Sequence, residues 1–385
     1  MGWSINQRRG LTHSRPDRSI KGYTLIAPLF GNAAYLIDMA GRVVHTWDLG
    51  DLGGNLARLL PNGHLLTLGP DRAKGPATPA DEADFLPLEE RARSIGGNGA
   101  LLRELDWDGS VLWEYRNPAM HHDFVRLPNG HTLIPEWIEL SDDLAKRVRG
   151  GWNHRGKQGP LIGDDIVEID GDGGEVRRLR TWEMLDPRRD PICPLERRTE
   201  WTHVNSLDVN DAGDIAFSCR QNSRVGIIDG ASGTLRWKYG APDTYHQHHA
   251  TFQAEGRIQI FDNGMHSRGQ PASKVIEVDP NNNEVTWTYQ GAPTLQFFSP
   301  HISNAQRLPG GNNLVCEGAT GRIFEITKQG EVVWEWLSPF FNEIRGQLLP
   351  WTYRAYRYPA NDPAVAGRDL DPARWASLNR LHGLE

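Results

Sequence analysis

One pattern limits what this chain can fold into more than any other: a strand, a polar turn and a second strand that closes on tryptophan. It occurs six times, as YLIDMAGRVVHTW ending at Trp47, LLRELDWDGSVLW at Trp113, IVEIDGDGGEVRRLRTW at Trp182, VGIIDGASGTLRW at Trp237, VIEVDPNNNEVTW at Trp287 and IFEITKQGEVVW at Trp334. A second hairpin type alternates with it, often turning on Leu-Pro-Asn-Gly. Its copies are NLARLLPNGHLLTL, HHDFVRLPNGHTLI, HVNSLDVNDAGDIAFSCR, HHATFQAEGRIQIF and ISNAQRLPGGNNLVCEG. Each precedes one of the last five tryptophan hairpins.

Two hairpins make a four-stranded sheet, and an isolated sheet with two open edges is a poor free-standing object. Six such sheets packed radially protect one another, so the expected fold is all-β, a six-bladed β-propeller. The sixth inner hairpin is composite. Tyr23 to Pro28 lacks a preceding strand, and Tyr353 to Tyr358 supplies one, so a blade is closed by N- and C-terminal strands. The abundance of glycine (41) and proline (25) suits many short strands joined by tight turns. The expected organisation is an N-terminal tail over residues 1–20, the propeller over 21–359 and a helical C-terminal extension over 360–385. Three long loops, near 70–99, 138–163 and 185–199, are the kind that form lids or binding loops. Ser141 to Arg149 has an N-cap and an acidic first turn, the start signals of a short helix.

A net charge of −7 argues against a continuous basic face, and hence against nucleic acid or anionic membrane as a partner. A local basic pocket for one small anion is compatible with it. Cys193, Cys219 and Cys316 are odd in number and lack CxxC spacing, so they read as reduced thiols rather than a disulfide framework or a thiolate zinc site. The N-terminus has no apolar core of the length a secretory signal needs, and no later run is long enough to span a bilayer. The expected location is cytoplasmic. The sequence is silent on oligomeric state.

In a propeller the innermost strand of each blade lines one central channel, so equivalent positions of the inner hairpins meet. Measured back from the turn glycine, His121 and His122 precede Gly130 by nine and eight residues. By the same measure His203 precedes Gly213 by ten, His248 and His249 precede Gly256 by eight and seven, and His301 precedes Gly311 by ten. With 14 histidines in the chain, a four-residue window holds one by chance roughly one time in seven, yet four of the five hairpins are occupied. A ring of histidines is the sharper reading. The plainer one is that each bonds a backbone carbonyl where its strand begins. His246, His266, His13, His45, His64, His131, His154 and His382 read as structural.

Arg220 follows the second strand of the His203 hairpin. Its guanidinium offers either a bidentate fork to a sulfate or phosphate or a partner to a nearby carboxylate. Asn205 and Asn263 either orient such oxyanions or satisfy local turns.

At these residues the chain resembles the bacterial arylsulfate sulfotransferase family, six-bladed propellers that move a sulfuryl group between phenols. The matching segments are HHDF with LPNG at His121 to Gly130, HVNS and SCRQ within His203 to Gln221, QHHA and FDNG within Gln247 to Gly264, and AQRLPGGNNLVCEGATGRIFEI from Ala305. With the tryptophan hairpins, the likeness covers most of Tyr23 to Tyr358. It implies His248 as a nucleophile that becomes transiently sulfated, with His203, Asn205 and Arg220 around the sulfuryl oxygens and His122 adding a further histidine. His121, His249 and Asn263 are expected beside the substrate, a small anionic aromatic ester. An imidazole nitrogen attacks sulfur and leaves again, so that chemistry needs no metal or other cofactor.

Two other readings share the scaffold. His122, His203, His249 and His301 form a set from four blades that would suit a histidine-bound divalent metal, as in a lyase or oxygenase. A non-catalytic ligand-binding propeller is the third, since propellers host many functions.

Overall fold

The computed structural model describes residues 8–75, 77–153, 159–344 and 346–385; residues 1–7 of the expected tail and His154 lie outside these. Among the described residues, the strands form six antiparallel sheets of four or five strands, each a blade of a six-bladed β-propeller. Blade 1 joins Thr352–Pro359, Gly22–Pro28, Ala33–Ile37 and Val43–Asp48 in that spatial order, and blade 2 joins Leu56–Leu59, Leu65–Gly69, Leu101–Leu105 and Val111–Arg116. Blade 3 runs Val125–Arg126, Thr132–Glu139, Ile162–Ile169 and Glu175–Arg180, and blade 4 runs Val204–Val209, Ile215–Cys219, Arg224–Ile228 and Leu235–Gly240. Blade 5 is His248–Phe252, Ile258–Asp262, Lys274–Asp279 and Glu284–Gln290, and blade 6 is Asn304–Arg307, Asn313–Glu317, Arg322–Ile326 and Val332–Leu337. The expected composite blade is present, with Tyr23 opposite Tyr358 and Leu25 opposite Tyr356.

The chain groups into two compact units. One comprises Met1–Thr67, Arg103–Glu114 and Ile302–Glu385 and contains blades 1 and 6; the other comprises Leu68–Leu102 and Tyr115–His301 and contains blades 3, 4 and 5. The residues of blade 2 are divided between them.

In the first unit, Ile26, Ile37, Val43, Leu314, Cys316, Ile323, Trp334 and Trp336 share one buried cluster. The repeated tryptophan has a local reason. The Trp334 indole N–H donates to Met39 O at 2.9 Å, in the outer turn of the following blade, and the Trp47 indole donates to Asp106 O at 3.1 Å in the same way. A tryptophan thus adds a large apolar area and a directed polar tip at each such junction. Arg357 is fully buried, pairs with Glu325 at 2.6 Å and lies over the Trp334 ring. Burial, only partly offset by Glu325, lowers the basicity of this guanidinium to about 10.

The tail expected over residues 1–20 is not all tail, because Gly10–Ser14 pairs with Val332–Leu337 as a fifth strand of blade 6. Bonding its edge groups there covers a sheet margin that would otherwise lie open. The extension after residue 359 contains a short helix, Ala376–Leu381, tied down by Asn379, which accepts from Val43 N at 2.7 Å and donates to Val43 O at 3.0 Å.

In the second unit, Leu133, Ile166, Trp201, Val204, Leu207, Phe217 and Ile228 pack together between blades 3 and 4, and Ala216, Val225, Ile227, Ala250, Ile260 and Ile276 between blades 4 and 5. The Trp237 indole donates to Asn283 Oδ1 at 2.7 Å, repeating the tryptophan-to-next-turn link. The long loops carry structure of their own. Asp142–Arg147 is helical and capped by the Ser141 hydroxyl, and Gly150–Trp152 pairs in parallel with Ile192–Arg197. The loop after residue 70 holds the helix Leu88–Ser94.

Candidate functional site

The inner strands of blades 3, 4 and 5 begin with an abrupt change of backbone direction. His122, His203, His246 and His249 all have φ between 49° and 58°, in the left-handed region, and His266, beyond the second strand of blade 5, has φ 63°. Non-glycine residues there cost of order 1–2 kcal/mol each, and such strain collects at functional sites. All five belong to the second unit.

His248 opens the first strand of blade 5, opposite Phe261, and the register slips between His248 and Thr251. This bulge contains His249, buried like its neighbour. The His248 Nδ1–H donates to Asn263 Oδ1 at 2.7 Å, and Asn263 Nδ2 donates to Ser299 O at 2.8 Å. The second bond fixes which end of the amide faces the imidazole. The proton therefore sits on Nδ1, and Nε2 carries the lone pair.

The segment before His248 is held by a buried amide network. Gln247 Nε2 donates to Ser218 Oγ, Cys219 O and Arg224 O, each at 3.0 Å, while Asn205 Nδ2 donates to Gln247 O at 2.8 Å. Asn205 is fully buried. It joins the His203 and His248 segments across two blades, which makes it a residue that positions His248 through the backbone.

His203 Nδ1 lies 2.8 Å from Glu200 Oε1, and that oxygen also accepts from the Trp137 indole at 3.2 Å. The His122 and His203 rings are 4.4 Å apart between centroids. Behind His122, the Nδ1 atoms of His121 and His122 share a hydrogen at 2.7 Å, and His121 Nε2 is 2.9 Å from Asp164 Oδ1. That last contact is close but poorly aligned for a hydrogen bond. Complete burial lowers the basicity of His121 despite Asp164, keeping the ring neutral. Burial opposes ionisation of Asp164 too, but contacts with His121 and Thr202 outweigh it and hold the carboxyl below its usual range. Gly97 makes room for this arrangement, since a Cβ there would lie 2.0 Å from His122 Nε2.

Arg220 is paired. Its guanidinium meets Glu196 Oε1 at 3.0 Å and donates to Gln221 Oε1 at 3.1 Å. Of the two roles open to it, the structure displays the carboxylate partner, with both side chains still about one-fifth exposed at most.

His246 and His266, read as structural from the sequence, lie in the middle of these charges. His246 is fully buried, its Nε2 is 3.2 Å from His266 Nδ1, and Cys193 Sγ is 3.5 Å from the same His266 nitrogen. Burial, together with the nearby Arg220, His266, His248 and His203, drives the basicity of His246 down to about 2. Burial also raises the Cys193 thiol. Among the described residues, Cys193, His246 and His266 are the set of three metal-capable side chains whose ligand atoms converge within 4.8 Å. The set His122, His203, His249 and His301 does not form such a group; His122 and His203 adjoin, without a convergence of all four.

Sequence reasoning missed Glu196, Glu200 and Cys193, all contributed by the stretch around the loop 185–199. The length of that loop was the signal available. His64 and His131, read as structural, each bond a glutamate of their own blade, Glu104 at 2.8 Å and Glu168 at 2.7 Å.

The second unit thus gathers the buried imidazoles of His122, His203, His246, His248 and His249 on blades of a six-bladed propeller. The arylsulfotransferase (ASST) family profile matches residues 97–338, and the chain belongs to that family. No curated protein matches it in sequence. A protein of unknown function from Bacteroides caccae is similar in structure, with a TM-score of 0.51 at 12% identity over 87% of this chain and 98% of that one. A streptogramin B lyase structure gives 0.46 at 13% identity over 91% and 93%. Virginiamycin B lyase from Staphylococcus aureus gives 0.44 at 13% over 89% and 87%. The first likeness concerns fold alone, and the two lyases carry no argument about chemistry. No helix among the described residues is long and apolar enough to cross a membrane.

Proposed function

We propose that this chain transfers a sulfuryl group from an aryl sulfate to a phenolic acceptor through a sulfohistidine at His248. The observation that carries the reading is the Asn263–His248 bond, which places the ring proton on Nδ1 and the lone pair on Nε2. In the first half-reaction Nε2 bonds to sulfur and the sulfur–aryl oxygen bond breaks, its electron pair leaving on the phenolate. The ring then carries positive charge, and Asn263 Oδ1 stabilises it by accepting the Nδ1 hydrogen. In the second half the acceptor oxygen attacks sulfur, the N–S bond breaks and the acceptor proton passes to a base. His203, backed by the Glu200 carboxylate, and His122, backed by His121 and Asp164, are the bases and donors for these proton movements. Arg220 exchanges Glu196 for the sulfuryl oxygens when substrate binds, stabilising the charge that builds on them.

The family match supports a transferase of this kind. The test is p-nitrophenol release from p-nitrophenyl sulfate with and without an acceptor phenol. Acceptor-dependent release, lost in His248→Ala, together with a peptide spanning His248 that gains the mass of one SO3 group, is the expected result. Turnover that survives His248→Ala overturns the reading.

A further inference from the structure

The cluster formed by Cys193, His246 and His266 has no part in that mechanism, and its geometry points elsewhere. We propose that these three side chains bind a zinc ion, through Cys193 Sγ, His246 Nε2 and His266 Nδ1. The inference stands independently of sulfuryl transfer.

Tetrahedral zinc with Zn–N near 2.0–2.1 Å and Zn–S near 2.3 Å requires its ligand atoms to be about 3.3 Å apart for two nitrogens and about 3.6 Å for sulfur and nitrogen. The His246–His266 nitrogens are 3.2 Å apart and Cys193 Sγ is 3.5 Å from His266 Nδ1. The remaining pair lies within 4.8 Å, so a small rotation of the Cys193 side chain completes the triangle. The two imidazole rings are nearly perpendicular, at 89°.

The surroundings fit an ion better than an empty cluster. His246 is wholly buried, and its Nδ1 has no hydrogen-bond partner among the described residues. Glu196 Oε1 lies 3.6 Å from that nitrogen, where an outer carboxylate commonly orients a metal-bound histidine. Glu196 is itself held by Arg220 at 3.0 Å, which leaves the fourth zinc position to a water or an anion. The scaffold is rigid on each side. Cys193 N donates to Gln221 O at 2.9 Å, and His246 N donates to Ser223 Oγ at 3.0 Å. Both histidines hold left-handed backbone angles, a cost that the fold sustains only where something depends on their direction. A thiolate with two imidazoles is a borderline-soft donor set, favouring zinc over magnesium or calcium.

The experiment measures zinc in the full-length protein after incubation with an equivalent of zinc sulfate and exhaustive dialysis. The wild type should retain one zinc per chain, and Cys193→Ser with His266→Ala should retain none, while thermal melting shows that the double variant is folded. Cobalt substitution gives a second readout, a thiolate-to-cobalt charge-transfer band in the near ultraviolet that vanishes in Cys193→Ser and persists in Cys316→Ser. Substoichiometric zinc in the wild type, or zinc kept by the folded double variant, overturns the proposal. If the double variant fails to fold, the cobalt band of the single variants decides in the same two directions.

Discussion

Asn263 Oδ1 lies 2.7 Å from His248 Nδ1 while the other end of the same amide donates to Ser299 O, so one asparagine sets both the proton position and the angle of the imidazole. A hydrogen bond to the far nitrogen is the physical means of choosing which ring nitrogen keeps its lone pair.

Replacing that asparagine should therefore affect chemistry more than binding. Asn263→Ala is expected to lower kcat for acceptor-dependent aryl sulfate turnover by about 100-fold with little change in KM, because the ring loses its orientation rather than its substrate contacts. Steady-state kinetics on the purified variant check this, and an unchanged kcat counts against the role.

Gly97 offers a second probe. Its φ is 86°, and a methyl group on its Cα would lie 2.0 Å from His122 Nε2, so there is no room for a side chain. Gly97→Ala should destabilise the protein by about 1–3 kcal/mol, from the left-handed backbone and the forced movement of the ring. The shift in urea midpoint measures it, and a neutral result would mean that the His122 ring moves aside freely.

Asp262, next to Asn263, sets a pH dependence. Burial pushes its carboxyl up to about 6, despite the Tyr245 and Gly264 amides and Lys274. Because the folded-state value exceeds the unfolded one, its contribution to stability is fully present below about pH 4 and is lost as pH rises through 6. Asp262→Asn keeps the Oδ1 acceptor for Tyr245 N and removes the charge, so it should stabilise the protein by about 2 kcal/mol at pH 8 and much less at pH 4. Melting temperatures of both proteins across that range test the sign. A stabilisation larger at pH 4 than at pH 8 is the contrary outcome.

In the other unit, the Arg357–Glu325 pair is fully buried on both sides. Removing one charge strands the other, so Glu325→Ala should cost about 3–5 kcal/mol, whereas Glu325→Leu with Arg357→Met should cost much less. Chemical denaturation of the single and double variants compares them. Equal losses in the two would show that the cost lies in packing rather than in the isolated charge.

The blades were legible because their cause is repeated and local. Five of the six repeat tryptophans lie in the fourth strand of a blade and Trp182 lies in the turn just past Arg180; Trp47, Trp237 and Trp334 show why the residue recurs, since each indole reaches a turn in the following blade. The fifth strand of blade 6 was hidden, since Gly10–Ser14 has no hairpin partner nearby in sequence and pairs with Val332–Leu337 across most of the chain. At the site, the phase of the inner hairpins pointed to His121, His122, His203, His248, His249 and His301. It did not reach His246 and His266, which hold left-handed backbone angles and meet Cys193 from a distant loop, features that leave no periodic trace. Asn205 was found for its motif, yet its amide turned out to grip the Gln247 backbone.

The pairing of Thr352–Pro359 with Gly22–Pro28 also governs how the chain comes off the ribosome. The second of these segments is synthesised about 330 residues before its partner, Gly22 preceding Thr352. At about 5–20 residues per second, its edge waits some tens of seconds for the strand that covers it. During that interval the nascent polypeptide presents an unpaired strand to solvent or to a chaperone, and blade 1 is the last of the six to be completed.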